Sequence, residues 1–391
     1  MRSAPRTGTA PRPTVAIVHL GRATARGNSN RVATWVAVTA AAGLRPLVVD
    51  LAIHAGLGIT PRRVSRLLTG EIVPETFAWQ GRLPRADLAL SGPAAVVFVT
   101  ARAYDPTLLC GLGPRPAVVL DFVDRLSESY RQRAIRAASP LRRAGYRGLR
   151  VPMARFERRE HSRADLTTAA GYRDAPLLGA EWLPNVLERL PAPVPPSRSD
   201  GADGPVVDLV FHGTLSYPPN SDALSAFAAA WPLIRRSRPG TRLLVAGSRP
   251  AAGLAAWIRA QPGWELTANF DDLNAVLRRA RVAVAPLVSA TGLQNKVLET
   301  TARALPTVAS PAAAAGFDQR FPLALADTPA AWAAQIRHLL DAPGAAAALG
   351  AAQRRHVAGH YLATCWAPWL RAALAAKGPS GRAAAFMAAG A

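Results

Sequence analysis

Short runs of β-branched residues alternate along this chain with alanine- and leucine-rich segments of helical periodicity. The alternation favours parallel sheets covered by helices, because buried parallel strands have unbroken apolar sequences. A first series of predicted strands comprises Thr14–Leu20, Pro46–Leu51, Ala95–Thr100 and Val118–Phe122, with helices at Asn30–Ala42 and Arg125–Arg136. A second series comprises strands at Val206–Phe211, Arg242–Ala246, Val282–Pro286 and Thr307–Ala309, with helices at Ser221–Ile234, Leu273–Arg279, Leu293–Ala304, Thr328–Leu340 and Ala345–Ala372.

A stretch rich in proline, serine, glycine and aspartate separates the two series. Such a composition stiffens the chain without burying surface, and a length of 391 residues also favours two domains. We therefore predict a disordered start at 1–13, a first α/β domain at 14–186, a linker at 187–205, a second α/β domain at 206–360, and a terminal helix and tail at 361–391 that cross back to the first domain. Two such domains are expected to leave a cleft between the carboxyl ends of their strands, where open α/β sheets bind ligands.

The charge of the chain raises the question of a polyanionic partner. Its 47 basic and 25 acidic residues give a net charge of +22, and every basic residue except Lys296 and Lys377 is arginine. No helix-turn-helix, zinc-finger or aromatic RNA-binding signature is present, so we expect no nucleic-acid partner. The densest basic stretch, Arg131–Arg163, is predicted to form amphipathic helices, in which Glu157 and Glu160 compensate charge. This stretch is either a solvated surface or a patch for peripheral contact with an anionic membrane or an anionic acceptor.

The reactive residue types point away from a metal or disulfide protein. Cys110 and Cys365 are too isolated for a disulfide framework, and the seven histidines show no paired metal-ligand spacing. The first thirteen residues have no apolar core typical of a secretory signal. We expect a cytoplasmic protein, at most peripheral to the inner membrane, without a metal.

The most informative segment leads from a predicted buried strand through Gly292 into a helix that carries Lys296 and Glu299. A glycine at such a turn lets a phosphate approach backbone N–H groups at the positive end of the helix. Lys296 could add a point charge, and Glu299 could accept both vicinal hydroxyls of a ribose. The alternative is an ordinary i,i+3 ion pair on an exposed helix. A lysine at this position in an arginine-rich chain favours the phosphate interpretation.

These residues resemble a known family. The string Gly292-Leu-Gln-Asn-Lys-Val-Leu-Glu299, followed by Ala302, Pro306, Val308 and Gly316, resembles the donor site of the group-1 (family 4) glycosyltransferases. It is most similar to the branch associated with exopolysaccharide and PEP-CTERM loci. The segments around Phe211–Gly213, Trp231–Pro232, Val245–Gly247 and Asp272 resemble further parts of this donor domain, and Gly27–Arg31 and Asp121–Ser127 resemble landmarks of the acceptor domain.

The resemblance implies a GT-B fold, in which two doubly wound Rossmann-like domains face each other across a cleft. It also implies a retaining transfer from a UDP- or GDP-sugar, as co-substrate, to a glycan, lipid-linked or other small-molecule acceptor, without a tightly bound cofactor or metal. The implied catalytic residues are Lys296 and Glu299. The implied donor-binding residues are Gly213, Asn220, Gly247, Arg249, Asp272, Gly292, Gln294, Asn295, Lys296 and Glu299, and on the acceptor side Gly21, Arg31 and Asp124.

The sequence departs from the family pattern at two positions. Thr291 stands where many members have the first glutamate of the E-x7-E motif, and Ala268 replaces a common glycine. His212, beside Gly213, is expected to be a hydrogen-bonded residue at a strand end. Two alternatives therefore stay open beside the transferase: a degenerate GT-B nucleotide-binding or assembly protein without turnover, and a GT-B-shaped nucleotide-sugar epimerase.

Overall fold

The computed structural model of the protein describes residues 12–20, 26–55, 60–74, 79–82, 92–101, 103–104, 109, 115–194 and 206–377. The chain divides into two compact units. The first consists of Met1–Ala169, Ala175–Glu188 and Ala363–Ala391. The second consists of Ala170–Asp174 and Arg189–Leu362.

The first unit is built on one sheet, which has seven strands among the described residues. They are β1 (Thr14–Leu20), β2 (Arg45–Ala55), β3 (Trp79–Arg82), β4 (Ala95–Val99), β5 (Ala117–Asp121), β6 (Leu166–Ala169) and β7 (Glu181–Trp182), in the spatial order β3-β2-β1-β4-β5-β6-β7. All neighbours are parallel except β3, which runs antiparallel to β2. The strands β4 and β5 are buried along their whole length, as the apolar sequences of central parallel strands require.

Helices cover both faces of this sheet. They are α1 (Arg26–Ala41), α2 (Pro61–Leu68), α3 (Leu126–Arg136), α4 (Pro140–Arg163) and the short α5 (Asp174–Leu178). On one face, Trp35 and Val38 of α1 pack against Val97 and Val119 of the strands. On the other, Tyr130 of α3 and the α4 residues Met153 and Phe156 pack against Phe98 and Leu120.

The second unit has a six-stranded parallel sheet in the order β10-β9-β8-β11-β12-β13. Its strands are β8 (Val207–Thr214), β9 (Leu243–Ser248), β10 (Trp264–Ala268), β11 (Ala280–Ala285), β12 (Thr307–Ala309) and β13 (Ala324–Leu325). Its helices are α6 (Pro218–Ala228), α7 (Trp231–Ser237), α8 (Ala252–Ala260), α9 (Leu273–Arg278), α10 (Asn295–Thr301), α11 (Pro311–Ala314), α12 (Pro329–Asp341) and α13 (Pro343–His360). The core includes Val210, Leu244 and Ala283 of the central strands.

The last helix, α14 (Ala363–Lys377), follows the second unit in sequence but belongs to the first. Its residues Leu370 and Leu374 join the cluster that contains Trp35 and Val38 of α1. Four apolar positions of α14 are buried there, so this helix completes one face of the first unit.

The structure corrects two sequence predictions of local structure. The helix predicted to start at Asn30 begins at Arg26, so the segment Gly27–Arg31 is the first part of α1. The single helix predicted over Ala345–Ala372 is two helices, because the chain turns at Tyr361 and Leu362 between α13 and α14. In addition, no helix within the described part of the chain has the length and apolar character needed to cross a bilayer.

Candidate active site

The second sheet has its topological switch point between β8 and β11. The chain continues from β8 to β9 on one side and from β11 to β12 on the other, so the two connections diverge at the carboxyl ends of these strands. Open α/β sheets bind ligands at such a point. A ligand site in this unit is therefore expected among the residues at the carboxyl ends of β8 and β11.

Gly213, near the end of β8, packs directly against two polar side chains. A Cβ atom at this position would lie 3.0 Å from Nδ2 of Asn220 and 3.2 Å from Nζ of Lys296, and the residue has a φ of 152°. Its neighbour in the sheet, Gly247 of β9, is just as restricted, since a Cβ atom there would lie 2.1 Å from the Gly213 carbonyl oxygen. Both glycines are needed for this close packing at the end of the strands.

Lys296 lies in the first turn of α10, and its ammonium group points at the end of β8. Nζ donates a hydrogen bond of 2.5 Å to Oδ1 of Asn220, whose Nδ2 in turn donates to the carbonyl oxygen of Thr214 at 2.7 Å. The same Nζ lies 4.2 Å from the centroid of the Phe211 ring. A buried amide and an aromatic face thus fix the position of the charge.

Burial lowers the pKa of Lys296 to about 7, and the nearby Glu299 carboxylate offsets part of this decrease. The ammonium is therefore only partly protonated near neutral pH. An anionic ligand beside it would favour the charged form and raise this pKa.

His212 connects Lys296 to Glu299. Its Nε2 lies 3.3 Å from the carbonyl oxygen of Lys296, and its Nδ1 lies 3.7 Å from Oε2 of Glu299. Burial, with the positive charges of Lys296 and Arg303 acting in the same direction, lowers the pKa of His212 to about 3. The ring is neutral, so its contact with Glu299 is not an ion pair.

The amide of Gly292 has a different partner from the one that the family resemblance implies. It donates a hydrogen bond of 2.9 Å to Oδ2 of Asp174. Asp174 belongs to the short segment Ala170–Asp174, which is part of the second unit and in which the amide of Tyr172 donates to the carbonyl oxygen of Gly316. A carboxylate thus occupies the donor that was expected to face a phosphate.

The remaining donor-site candidates lie in three places. Gln294 and Asn295 lead into α10, where Nε2 of Gln294 donates to the carbonyl oxygen of Thr291. Arg249 is exposed after β9, and its amide donates to Asn269. Asp272 caps the amino end of α9 through the amide of Asn274. The structure therefore brings Gly213, Asn220, Gly247, Lys296 and Glu299 together. The charge of Asp272 acts with that of Glu299 on Arg303, whereas the amide of Arg249 bonds to Asn269.

The acceptor-side candidates have different surroundings. Gly21 lies outside the described residues. Arg31 lies in α1, and its side chain is 1% exposed and makes two hydrogen bonds with Asp121, of 2.5 and 2.9 Å. Its Nη1 also donates to the carbonyl oxygen of Leu183. Arg31 thus holds the core of the first unit together. Asp124 is half-buried just after β5, following Val123, which has a φ of 66°.

Sequence reasoning missed Asp174 and the position of His212 against Glu299. His212 stands beside Gly213, so its place near the end of β8 was visible in the sequence, but its contact with a residue of α10 depends on the pairing of β8 with β11. Within the described residues, no group of three or more His, Cys, Asp or Glu side chains is arranged to hold a metal ion.

Comparison with known proteins gives one family match. Residues 207–342 match the family described as glycosyl transferases group 1. This segment runs from β8 to the end of α12 and contains the whole cluster around Lys296. No curated protein sequence matches the chain.

Solved structures share its fold at low sequence identity. Sucrose-phosphate synthase from Thermosynechococcus elongatus has a TM-score of 0.62 and 15% identity, covering 92% of this chain and 97% of its own. The Anabaena protein HepE, in complex with UDP and glucose, has a TM-score of 0.61 and 12% identity, covering 92% and 99%. TarM has a TM-score of 0.55 and 11% identity over 71% of this chain, which spans about half of TarM (54%). These matches confirm the predicted two-domain α/β class and the GT-B fold.

Proposed function

We propose that this chain, whose residues 207–342 match the group 1 glycosyl transferases, moves a sugar from a nucleotide diphosphate to an acceptor hydroxyl. The observation that carries the proposal is the contact of Lys296 with Asn220 and Gly213 at the switch point of the second unit. The proposed donor is a UDP- or GDP-hexose. The proposed acceptor is a glycan, a lipid-linked sugar or another small molecule, as in the exopolysaccharide-associated branch that the GLQNKVLE string resembles.

Lys296 is the proposed ligand of the diphosphate. The turn after β8 offers few backbone donors, because Pro218 and Pro219 have no N–H and the amides of Leu215 and Tyr217 donate to backbone carbonyls. The ammonium must therefore provide much of the attraction. Its stabilisation of the negative charge that develops on the departing diphosphate is the main catalytic effect that we assign to this chain.

Glu299 is the proposed ligand of the ribose. It lies one turn after Lys296 on the same side of α10, and its side chain is about one-third exposed. Its two carboxylate oxygens can each accept a hydrogen bond from one of two vicinal hydroxyls. A ligand that spans Lys296 and Glu299 thus has a diphosphate next to a ribose, which is the arrangement found in a nucleoside diphosphate.

In the proposed reaction the bond between the sugar C1 and the diphosphate oxygen breaks, and its electron pair stays on the diphosphate. The acceptor oxygen forms the new bond to C1, and its proton passes to the departing phosphate oxygen. We propose that attack occurs on the face that the diphosphate leaves, so that the configuration at C1 is retained. The charge on Lys296 favours bond breaking because the released diphosphate carries one more negative charge than the intact nucleotide sugar, so the ammonium stabilises it more.

A second candidate is a protein that binds the nucleotide sugar without turnover. Two observations favour it. Thr291 replaces a glutamate that is common in the family, and Asp174 holds the amide of Gly292. Neither feature removes the contacts of Lys296 with Asn220 and Gly213. This candidate therefore predicts that the nucleotide sugar binds but is not converted to product.

A panel of UDP- and GDP-sugars tests both candidates. We expect one of them to raise the melting temperature, since a ligand that binds only the folded state stabilises it. The same donor should release free nucleotide when acceptor glycans are added. Binding without release would support the second candidate, and no binding of any nucleotide sugar would contradict both.

The two lysines provide a matched control. Lys296→Ala should abolish the thermal shift, whereas Lys377→Ala, at the exposed end of α14, removes the same charge and should leave it unchanged. Equal losses in the two variants would mean that general charge, and not the cluster, attracts the nucleotide.

A further inference from the structure

The α3–α4 hairpin is strongly basic on its outer side, where Glu128, in the first turn of α3, is a partly exposed acid paired with Arg131. The segment Arg131–Arg163, which contains most of the hairpin, has eleven arginines but only two acidic residues. Both acids are turned inward, since Glu157 is 6% and Glu160 2% exposed. The segment therefore contributes only positive charge to its exposed surface.

The two buried acids have partners inside the hairpin. Glu157 accepts hydrogen bonds from the amide and the hydroxyl of Ser127 at the start of α3, and burial raises the pKa of Glu157. It binds the end of a helix and does not compensate the arginines, which corrects the sequence expectation. Glu160 pairs with Arg159 and, at 3.6 Å, with Arg163. Neither acid is available to neutralise the rest of the segment.

The arginines of α4 are arranged along one side of the helix, which we call the basic face. At 3.6 residues per turn, positions 143, 147, 151, 155 and 158 share one side, opposite the buried Met153 and Phe156. All five are exposed, and they are Arg143, Arg147, Val151, Arg155 and Arg158.

Large apolar side chains are exposed at the turn of the hairpin and on the basic face. Ile135, in the last turn of α3, is 66% exposed, and Leu141, in the first turn of α4, is 84% exposed. Both flank the turn of the hairpin. Val151, on the basic face, is 54% exposed. A surface with both arginine and exposed aliphatic side chains suits a partner that has anionic groups above an apolar layer.

We propose that the turn and basic face of this hairpin dock on an anionic lipid bilayer. The guanidinium groups contact lipid phosphates, which they can bind through two N–H groups, while Ile135 and Leu141 enter the boundary with the acyl chains. Nucleic acid offers the same phosphates but no apolar layer for Ile135 and Leu141. The docking does not depend on the proposed transferase activity.

Vesicle sedimentation of the full chain tests the proposal. The protein should bind vesicles of equimolar phosphatidylcholine and phosphatidylglycerol, bind pure phosphatidylcholine vesicles far more weakly, and lose affinity as salt is added. Replacing Arg143, Arg147, Arg155 and Arg158 with glutamine should lower the affinity by about fivefold for each arginine near the surface. The double variant Ile135→Ser/Leu141→Ser should reduce the binding that persists at high salt.

The second unit offers a control with the same change in charge. Arg236, Arg259, Arg337 and Arg355 are also exposed on helices, and replacing all four with glutamine should leave vesicle binding nearly unchanged. Equal losses in the two quadruple variants would overturn the proposal, because net charge alone would then explain binding. It would also be overturned if the protein failed to bind the anionic vesicles, or if duplex DNA competed fully with them and the Ile135/Leu141 variant behaved like the unaltered protein. Thermal melts of every variant verify that the fold is retained.

Discussion

Nδ1 of His212 lies 3.7 Å from Oε2 of Glu299, while Nε2 of the same ring faces the carbonyl oxygen of Lys296 at 3.3 Å. A carbonyl oxygen only accepts hydrogen bonds, so the neutral ring carries its hydrogen on Nε2 and donates it there. Nδ1 is then an acceptor that faces a second acceptor, the Glu299 carboxylate. Two acceptors at this separation do not bond to each other, but a ligand hydroxyl beside both could bond to either.

The first prediction follows from this pair of acceptors. His212→Phe should weaken UDP or GDP binding by about tenfold, because one ribose hydroxyl loses an acceptor. The loss should be smaller for the 2′-deoxy or the 3′-deoxy nucleotide, whichever lacks the hydroxyl that His212 accepts. Titration calorimetry of each nucleotide with His212→Phe and with Glu299→Gln would measure the coupling between each side chain and each ribose hydroxyl. If His212→Phe lowers affinity for all three nucleotides equally, the ring does not contact the ribose.

The second prediction concerns the pH dependence of nucleotide binding. The pKa of Lys296 is about 7 without ligand because of its burial, and a bound diphosphate should raise it. The protonated form is the one that binds, so affinity is greatest below about pH 7 and should fall by up to about tenfold per pH unit above it. The pKa of His212 is about 3, so this residue does not titrate in that range.

Calorimetry in buffers of different ionisation enthalpy measures the accompanying proton uptake. The variant Lys296→Arg provides the control, because a guanidinium stays charged throughout this range. It should bind without proton uptake, even if more weakly. Proton uptake of the same size in both proteins would exclude Lys296 as its source.

The third prediction concerns Asp174. Its carboxylate accepts the Gly292 amide hydrogen and adds negative charge beside the proposed donor site. Asp174→Ala should increase the affinity for UDP or GDP by up to about tenfold if the amide then binds phosphate. Asp341→Ala, which removes an exposed carboxylate paired with Arg238, should have no such effect. Unchanged affinity in Asp174→Ala would show that the Gly292 amide does not take part in binding.

The fourth prediction concerns the stability of the first unit. Arg31 and Asp121 form a bidentate pair, and Nε1 of Trp35 also donates to Asp121 at 2.8 Å. Arg31→Met would leave the Asp121 charge buried without its cation, so the free energy of unfolding should fall by about 3–5 kcal/mol. Urea unfolding of this variant can be compared with Arg155→Met, an exposed position where a change within about 0.5 kcal/mol is expected. Similar values for the two variants would contradict a structural role for the pair.

The sequence contained enough information to predict the architecture, because buried parallel strands have an unmistakable apolar pattern. Thr14–Leu20 was predicted with the bounds that the structure has. The role of Arg31 was not predictable in the same way, since nothing local distinguishes an arginine at a helix start from one in a solvated loop. Its partners Asp121 and Leu183 are distant in sequence and reach it only through the folded sheet.

The candidate site was predictable in part for a related reason. Lys296 and Glu299 lie on one helix, so their spacing alone placed them together. Asn220 and His212 meet that helix because β8 and β11 pair, and the family resemblance supplied Asn220 in advance. Asp174 is the first residue of α5 but is grouped with the second unit, and its contact with Gly292 follows no local rule.

The position of α14 sets the order in which this protein can be completed during synthesis. The ribosome delivers the α1 residues Val32, Trp35 and Val38 early, yet the leucines that cover them, Leu370 and Leu374, emerge only after all of the second unit. Until then the apolar surface of α1 in the nascent chain is exposed to water, where chaperones can bind it. A chain that terminates before α14 would keep this surface exposed.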